Sequence, residues 1–314
     1  MTHIEFGFIL PADNLAKTGR DAYVANVDRA LDLVSGRFTS AWLIDHLQFG
    51  DADVLEGFTT LTYFAARHPQ LMFGHTVLCQ SFRNPALVAK MGATFQYLTS
   101  GRFVLGIGAG WHEEEYAAYG YDFPRDGVRV EQLAEALQII RALWREPNVT
   151  FAGEHYRVQD ARCEPKPLPI PPIMLGAFKP RMLHLTARYA DWWNVSSTGV
   201  ADYAAMAEEL ERACDAVGRD PQTIRRTWAG GCVCRETHAA AQAIAGDGGD
   251  VDDADDDFDF VGTPAQLVEQ MRAFVALGVD CFMLDCGGFP NLTTLELLVD
   301  RVLPQLSQSS VRGD

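Results

Sequence analysis

Positive charge is scarce in this sequence. Only 26 lysines and arginines stand against 42 aspartates and glutamates, and the formal net charge over 314 residues is −16. A chain this acidic is repelled by phosphate backbones and anionic headgroups, so neither nucleic acid nor a membrane surface is expected as a partner. Long apolar runs are missing too, since nothing approaches the ~20 residues of a membrane-spanning helix. The opening stretch MTHIEFGFIL lacks the basic head and extended apolar core of a signal peptide, and the expected location is the cytoplasm. The seven cysteines form no C-x-x-C pair and sit mostly in apolar runs such as Gly231-Cys232-Val233-Cys234. They read as reduced, buried thiols.

What the sequence does have is a regular alternation. Strand-length apolar runs lie at Ile4 to Leu10, Thr39 to Ile44, Leu71 to Leu78, Arg102 to Ile107, Ile173 to Leu175, Trp192 to Val195, Arg226 to Val233 and Asp280 to Asp285. A helical pattern follows each of them. The longest, Asp126 to Trp144, places Val130, Leu133, Leu137, Ile140 and Trp144 on one face. Asn84-Pro85 is a capping side chain followed by proline at the first helical position, and Thr263-Pro264-Ala265-Gln266 is a capping box. Eight β/α units with apolar strands imply a parallel sheet that closes as a TIM barrel, one α/β domain over residues 1–314. A doubly wound open sheet competes, but it would show fewer units and a G-x-G-x-x-G directly after the first strand.

Two connections are too long for plain turns. After the fourth strand, Val149 to Phe151 and His155 to Val158 flank Ala152-Gly153-Glu154 as a hairpin, and Pro165 to Pro172 is a proline-rich extended segment. After the seventh, Ala239 to Phe260 holds eight aspartates between Asp247 and Asp259. That stretch has almost nothing apolar to bury and reads as a solvated, mobile lid. It lacks the glycine and terminal glutamate of an EF-hand, so no metal is assigned to it.

In a TIM barrel the chemistry sits just past the strands. That rule selects Asp45 and His46, Thr76 to Cys79, Gly108 to Trp111, Gly176 and Ala177, Ser196 and Ser197, and Asp285 to Gly288. The set contains no Ser-His-Asp order and no metal-spaced histidine pair. Its many small residues suit a bound cofactor that carries the reaction. The stretch GRFVLGIGAGWHEEEYAAYG runs a buried strand into Gly108-Ala109-Gly110, where backbone can approach a flat molecule, and then presents Trp111, His112, three glutamates and Tyr116. His46 is of a residue type that fits proton transfer or a hydrogen bond to a cofactor ring; tying one loop to its neighbour is the alternative.

The order GRFVLGIGAGW, EEEYAAYGYDFP, Arg129 and EQLAEALQIIRALW, continuing through VTFAGEHYRV, PKPLPIPPIMLGA and ARYADWWN, resembles the bacterial luciferase-like oxidoreductases. The resemblance covers at least Phe38 to Asn194 and implies FMN or the deazaflavin F420 as cofactor. It implies catalytic roles for Asp45 and His46, and a cis peptide between Thr76 and Val77 behind the cofactor's ring. Gly108, Ala109, Gly110 and Trp111 would lie along the cofactor, while Gly176 and Ala177 would hold its phosphate-bearing tail at a helix start. Phe178-Lys179-Pro180 replaces the glycine run often found there, although Lys179 and Arg181 offer cations. Trp111 stands where some deazaflavin dehydrogenases carry a general-acid glutamate, which leaves Glu113, Glu114 and Glu115 as candidates. The resemblance also implies a homodimer joined by the helices after the second and third strands, in keeping with the apolar run from Phe58 to Ala65.

The leading expectation is hydride transfer between F420 or a flavin and a small organic substrate. A monooxygenase using reduced FMN and oxygen is the alternative, followed by a flavin-binding protein without turnover. A barrel lyase or hydrolase ranks last, because Lys179 is the single strand-end lysine.

Overall fold

The computed structural model describes residues 3–11, 19–247 and 259–308. Eight parallel strands close on themselves. They are β1 (Glu5–Ile9), β2 (Ser40–Leu43), β3 (Met72–His75), β5 (Phe103–Gly108), β8 (Ile173–Gly176), β9 (Trp192–Ser196), β10 (Arg225–Cys234) and β12 (Val279–Cys286), with β12 pairing back to β1 in register from Glu5↔Cys281 to Ile9↔Asp285. The expected α/β barrel is therefore present.

The strands are apolar on both faces because each face has its own core. Phe6, Phe8, Phe73, Phe103 and Leu105 face the helices, whereas Ile9, Trp42, Val104, Met174 and Met283 pack together in a second cluster with Trp192. Trp42 and Trp192 lie 6.0 Å apart, ring centre to ring centre, and the Trp42 indole donates to Ser40 Oγ at 2.8 Å. A buried indole keeps its apolar area only if the N–H finds such a partner.

The layer outside the barrel begins with α1 (Arg20–Val34), α2 (Gly57–Arg67) and α3 (Pro85–Leu98). The Asn84 side chain caps α3 by accepting from the Ala86 N–H at 2.9 Å. After β5 come the short α4 (Glu113–Ala118) and the long α5 (Asp126–Arg145), whose buried face holds Leu133, Leu137, Ile140 and Trp144 as the spacing implied. The hairpin is strands β6 (Val149–Ala152) and β7 (Arg157–Ala161), with its turn tied to Glu135 of α5 by the N–H groups of Glu154, His155 and Tyr156. Next are α6 (Pro180–Tyr189), α7 (Val200–Val217), α8 (His238–Asp247) and α9 (Pro264–Val275), which opens with the expected capping box.

Several boundaries differ from the sequence reading for physical reasons. The single strand expected from Leu71 to Leu78 is interrupted at Thr76-Val77 and resumes as β4 (Leu78–Cys79), which pairs with β5. The stretch after β10 is not all loop: its alanine-rich start is α8, anchored by the fully buried Ala241, and its end is the strand β11 (Phe260–Gly262) beside β10. The closing helix continues past Leu303 to Gln308 with a π-helical turn at Leu298–Val302. The acidic run expected to form a lid lies, from 248 to 258, outside the described residues.

Candidate active site

Because the barrel strands are all parallel, their C-terminal ends share one mouth, and a cavity of about 1080 Å³ opens there. That is the upper end of the size range of small-molecule pockets. Asp45 and His46 line it from the β2 end, Thr76 and Val77 from the β3 end, and Gly108, Ala109, Gly110 and Trp111 from the β5 end. Gly176 lines it as well, whereas Ala177 stands behind the wall. The Ala177 N–H is spent on Asn194 O at 3.1 Å and its carbonyl accepts from the Trp193 indole at 2.9 Å. The Ala177 N–H is therefore not free to meet an anion, contrary to expectation.

The floor is the segment between β3 and β4, and the glycines of β5 are what make it possible. A Cβ on Gly106 would lie 1.8 Å from the His75 carbonyl oxygen, and one on Gly108 would lie 2.8 Å from Val77 Cγ2. Either would force a shift, so LGIG leaves room first for the His75 backbone and the Val77 side chain. The Thr76–Val77 peptide is cis, as expected. Val77 lies close to both Gly108 and Gly176.

His46 and Asp45 are neighbours in sequence with different surroundings. Glu115 accepts from His46 Nδ1 at 3.0 Å and from the Leu47 N–H at 2.8 Å, and its side chain is almost wholly buried. With Nδ1 occupied, Nε2 is the ring atom left for chemistry. Of the three candidate glutamates, Glu113 and Glu114 are exposed and only Glu115 turns inward. Asp45 is fully buried and takes two parallel bonds from Arg83, both 2.8 Å, plus one from the Cys79 N–H at 2.9 Å. Arg83 also reaches Glu56, the capping residue of α2. Burial alone would raise the Glu56 carboxyl, but hydrogen bonds from Thr59 and Arg83 outweigh it and hold it down at about 2.

Two further groups near the floor are held inert by burial. The Cys79 thiol is pushed up to about 11, and it lies 3.0 Å from the Tyr116 hydroxyl. Burial lowers the His75 imidazole to about 4; neither ring nitrogen has a hydrogen-bond partner, and the ring packs on Phe58 at 4.6 Å.

Cations gather where α5 and α6 begin. Lys179 Nζ lies 3.4 Å from Asp126, and Arg181 lies 2.9 Å from Glu131, all four side chains being exposed. Arg129 is buried, bonding Gly110 O at 3.2 Å, Asp126 at 2.9 Å and Pro124 O, with its guanidinium 4.0 Å from the Phe123 ring centre. It ties the Gly-Ala-Gly turn to α5.

The profile of the luciferase-like monooxygenase family matches residues 4–248. The chain belongs to that family. An F420-dependent hydroxymycolic acid dehydrogenase of Mycobacterium tuberculosis is 30% identical over 210 residues, 66% of this chain and 58% of the relative, so the chain spans little more than half of that protein's length. An FMNH2-dependent dimethylsulfone monooxygenase of Pseudomonas fluorescens is 25% identical across 93% of this chain and 95% of its own. Among solved structures, an F420-dependent secondary alcohol dehydrogenase in complex with an F420-acetone adduct shares the fold, with a TM-score of 0.82 over 97% of this chain and 99% of that one at 18% identity.

Sequence reading missed Arg83, Phe49 and Asn194. Asn194 was findable: it is the polar residue inside the apolar run Trp192-Trp193-Asn194-Val195, and such a residue needs a reason. It lines the cavity, with Oδ1 2.8 Å from the Thr227 hydroxyl and Nδ2 3.4 Å from Thr76 Oγ1. Arg83 and Phe49 carry no comparable local signal.

Proposed function

We propose that the protein is a single-domain oxidoreductase that binds F420 or FMN at the barrel mouth and acts on a small organic substrate. The observation that carries this reading is the sorting of the cavity wall: an apolar floor at Val77, a pair of solvent-facing cations before and within the first turn of α6, and an oriented histidine on the β2 side. The residues fit such a cofactor. Val77, set between Gly108 and Gly176, would meet the ring, and Thr76 and Asn194 offer hydrogen-bonding groups to its polar edge. Lys179, Arg181 and the N–H groups of the first turn of α6 would hold the anionic tail. When bound, the cofactor supplies a ring that accepts or donates hydride. His46 holds or moves the substrate's proton at Nε2, with Glu115 keeping the imidazole oriented. Asp45 has no lone oxygen to offer and acts as an anchor for Arg83 and the turn at Cys79.

A second reading is a monooxygenase using reduced FMN, supported by the Pseudomonas fluorescens relative that spans nearly the whole chain. Titration with F420 and with FMN in both redox states, followed by fluorescence and then oxygen uptake, separates the readings. F420 binding without oxygen uptake supports a dehydrogenase, reduced FMN with substrate-dependent oxygen uptake supports a monooxygenase, and binding without turnover of any donor supports a flavin-binding protein. Absence of binding by either cofactor overturns the proposal.

We also infer a homodimer working in the cytoplasm. Most of the run from Phe58 to Ala65 turns inward, since Phe58, Leu61, Phe64 and Ala65 are buried, so that run by itself is not the argument. The support is the set Tyr63, Leu87, Tyr97 and Leu98, large apolar side chains left exposed on α2 and α3. Sedimentation at micromolar concentration tests it, and a monomer counts against it.

A further inference from the structure

Charge is distributed unevenly around the cavity, and the unevenness bears on the substrate. Among the described residues, each lysine or arginine that lines the cavity already has a partner. Arg129 is buried and held by Gly110 O, Pro124 O and Asp126, while Lys179 and Arg181, paired with that same Asp126 and with Glu131, keep exposed side chains. Both of those belong to the segment after β8, where the proposed reading puts the cofactor's tail.

Over β2 and β5 the wall is made of rings. His46, Phe49, Trp111 and His112 form a cluster with ring centres 4.9 to 6.2 Å apart. Trp111 is 58% exposed, a large apolar face at the cavity mouth. The carboxylates on this side have partners within the wall: Asp45 is paired with Arg83, and Glu115 accepts from His46 Nδ1 and the Leu47 N–H. The hydroxyl of Ser197, another cavity-lining residue, is bonded to the carboxylate of Asp259. A phosphate, sulfate or carboxylate placed against these rings would lose its water beside the buried Glu115 carboxylate, and the ring cluster itself holds no lysine or arginine to compensate. A flat, uncharged molecule would instead cover the rings and lose little.

We propose that the substrate is an uncharged, ring-bearing alcohol or carbonyl compound seated against Phe49 and Trp111, with its oxygen turned to His46. This rests on the oxidoreductase reading of the cavity, but its test does not need turnover. Two probes with the same ring and different charge, 2-naphthalenemethanol and 2-naphthoate, are titrated calorimetrically into the purified protein, alone and loaded with whichever of F420 or FMN it takes up. The neutral probe is expected to bind at least about tenfold more tightly, and Trp111→Ala to remove about tenfold of its affinity while Trp111→Phe keeps most of it. With the cofactor saturating, so that the proposed tail site is filled, Lys179→Met is expected to leave the discrimination unchanged. Should Trp111→Ala fail to fold, Phe49→Leu, which keeps an apolar group in place, gives the same reading. Equal or tighter binding of 2-naphthoate overturns the proposal, as does full affinity in Trp111→Ala or a loss of discrimination in Lys179→Met. A protein that binds neither cofactor but still selects the neutral probe sinks the oxidoreductase reading and leaves the neutral ring slot standing.

Discussion

Two sets of ion pairs border the same cavity and differ in one respect, their access to water. On the β2 side Asp45, Arg83 and Glu56 form a network in which the Asp45 side chain is 0% and the Arg83 side chain 9% exposed. Over β8 the pairs Lys179–Asp126 and Arg181–Glu131 have side chains between 48% and 79% exposed. A buried, bidentate pair with its remaining lone pairs filled behaves as part of the wall, and separating it leaves a bare charge in a poor solvent. An exposed pair contributes about 0–1 kcal/mol and exchanges partners readily. The same residue types therefore build a fixed surface in one place and a set of available cations in the other.

The largest effect is expected from breaking the buried set. Arg83→Met leaves Asp45 without its partner and should lower stability by about 3–5 kcal/mol in urea unfolding. Adding Asp45→Asn should recover part of that loss. No recovery would mean that Arg83 matters for its packing on Phe58, which lies 5.6 Å below its guanidinium, and not for its charge.

Acid should act on the same wall in two steps. The unfolded chain protonates His75 near 6.5 and the folded chain only at about 4. Between those values the unfolded state binds more protons, so stability falls as pH drops from 6.5 toward 4, by about 3 kcal/mol in all. Glu56 acts later: its folded value of about 2 lies below the ordinary 4.5, so its contribution is complete above 4.5 and is lost as pH falls toward 2. Thermal melts across this range should show the first step vanish in His75→Leu while the second remains.

His46→Gln is expected to reduce turnover by about 100-fold while leaving cofactor affinity within a few-fold, since proton transfer is lost and the floor is untouched. Equal losses in both would place His46 in the structural class with Asp45. The smallest effect belongs to the exposed set. Lys179→Met should change stability by less than about 0.5 kcal/mol but weaken the anionic cofactor by roughly tenfold, with a salt dependence flatter than that of the unaltered protein. A stability loss comparable to that of Arg83→Met would erase the distinction between the two sets.

Much of the site was legible because strand ends are local features. The alternation of apolar runs places Asp45, His46, Gly108 and Gly176 just inside or past their strands whatever the details of packing. Legibility failed where a residue's role depends on a partner far along the chain. Three consecutive glutamates look alike in sequence, and only the phase of the short α4 turns Glu115, 69 residues from His46, toward the imidazole. Asp45 looks like a catalytic acid until Arg83, 38 residues on, fills its oxygens. The glycines of LGIG suggest space for a ligand, yet both first make space for the protein itself, Gly106 for the backbone of β3 and Gly108 for the Val77 side chain.

By itself the sequence determined the number and order of the β/α units, the barrel they close into, the capped helix starts and the face on which chemistry would gather. Those follow from hydrophobic period and turn chemistry, which act over a few residues. Only the tertiary structure decided which charges are spent and which are free. Whether a carboxylate is a wall or a working group depends on its burial and on a partner brought from another strand, and neither is written in the residues beside it.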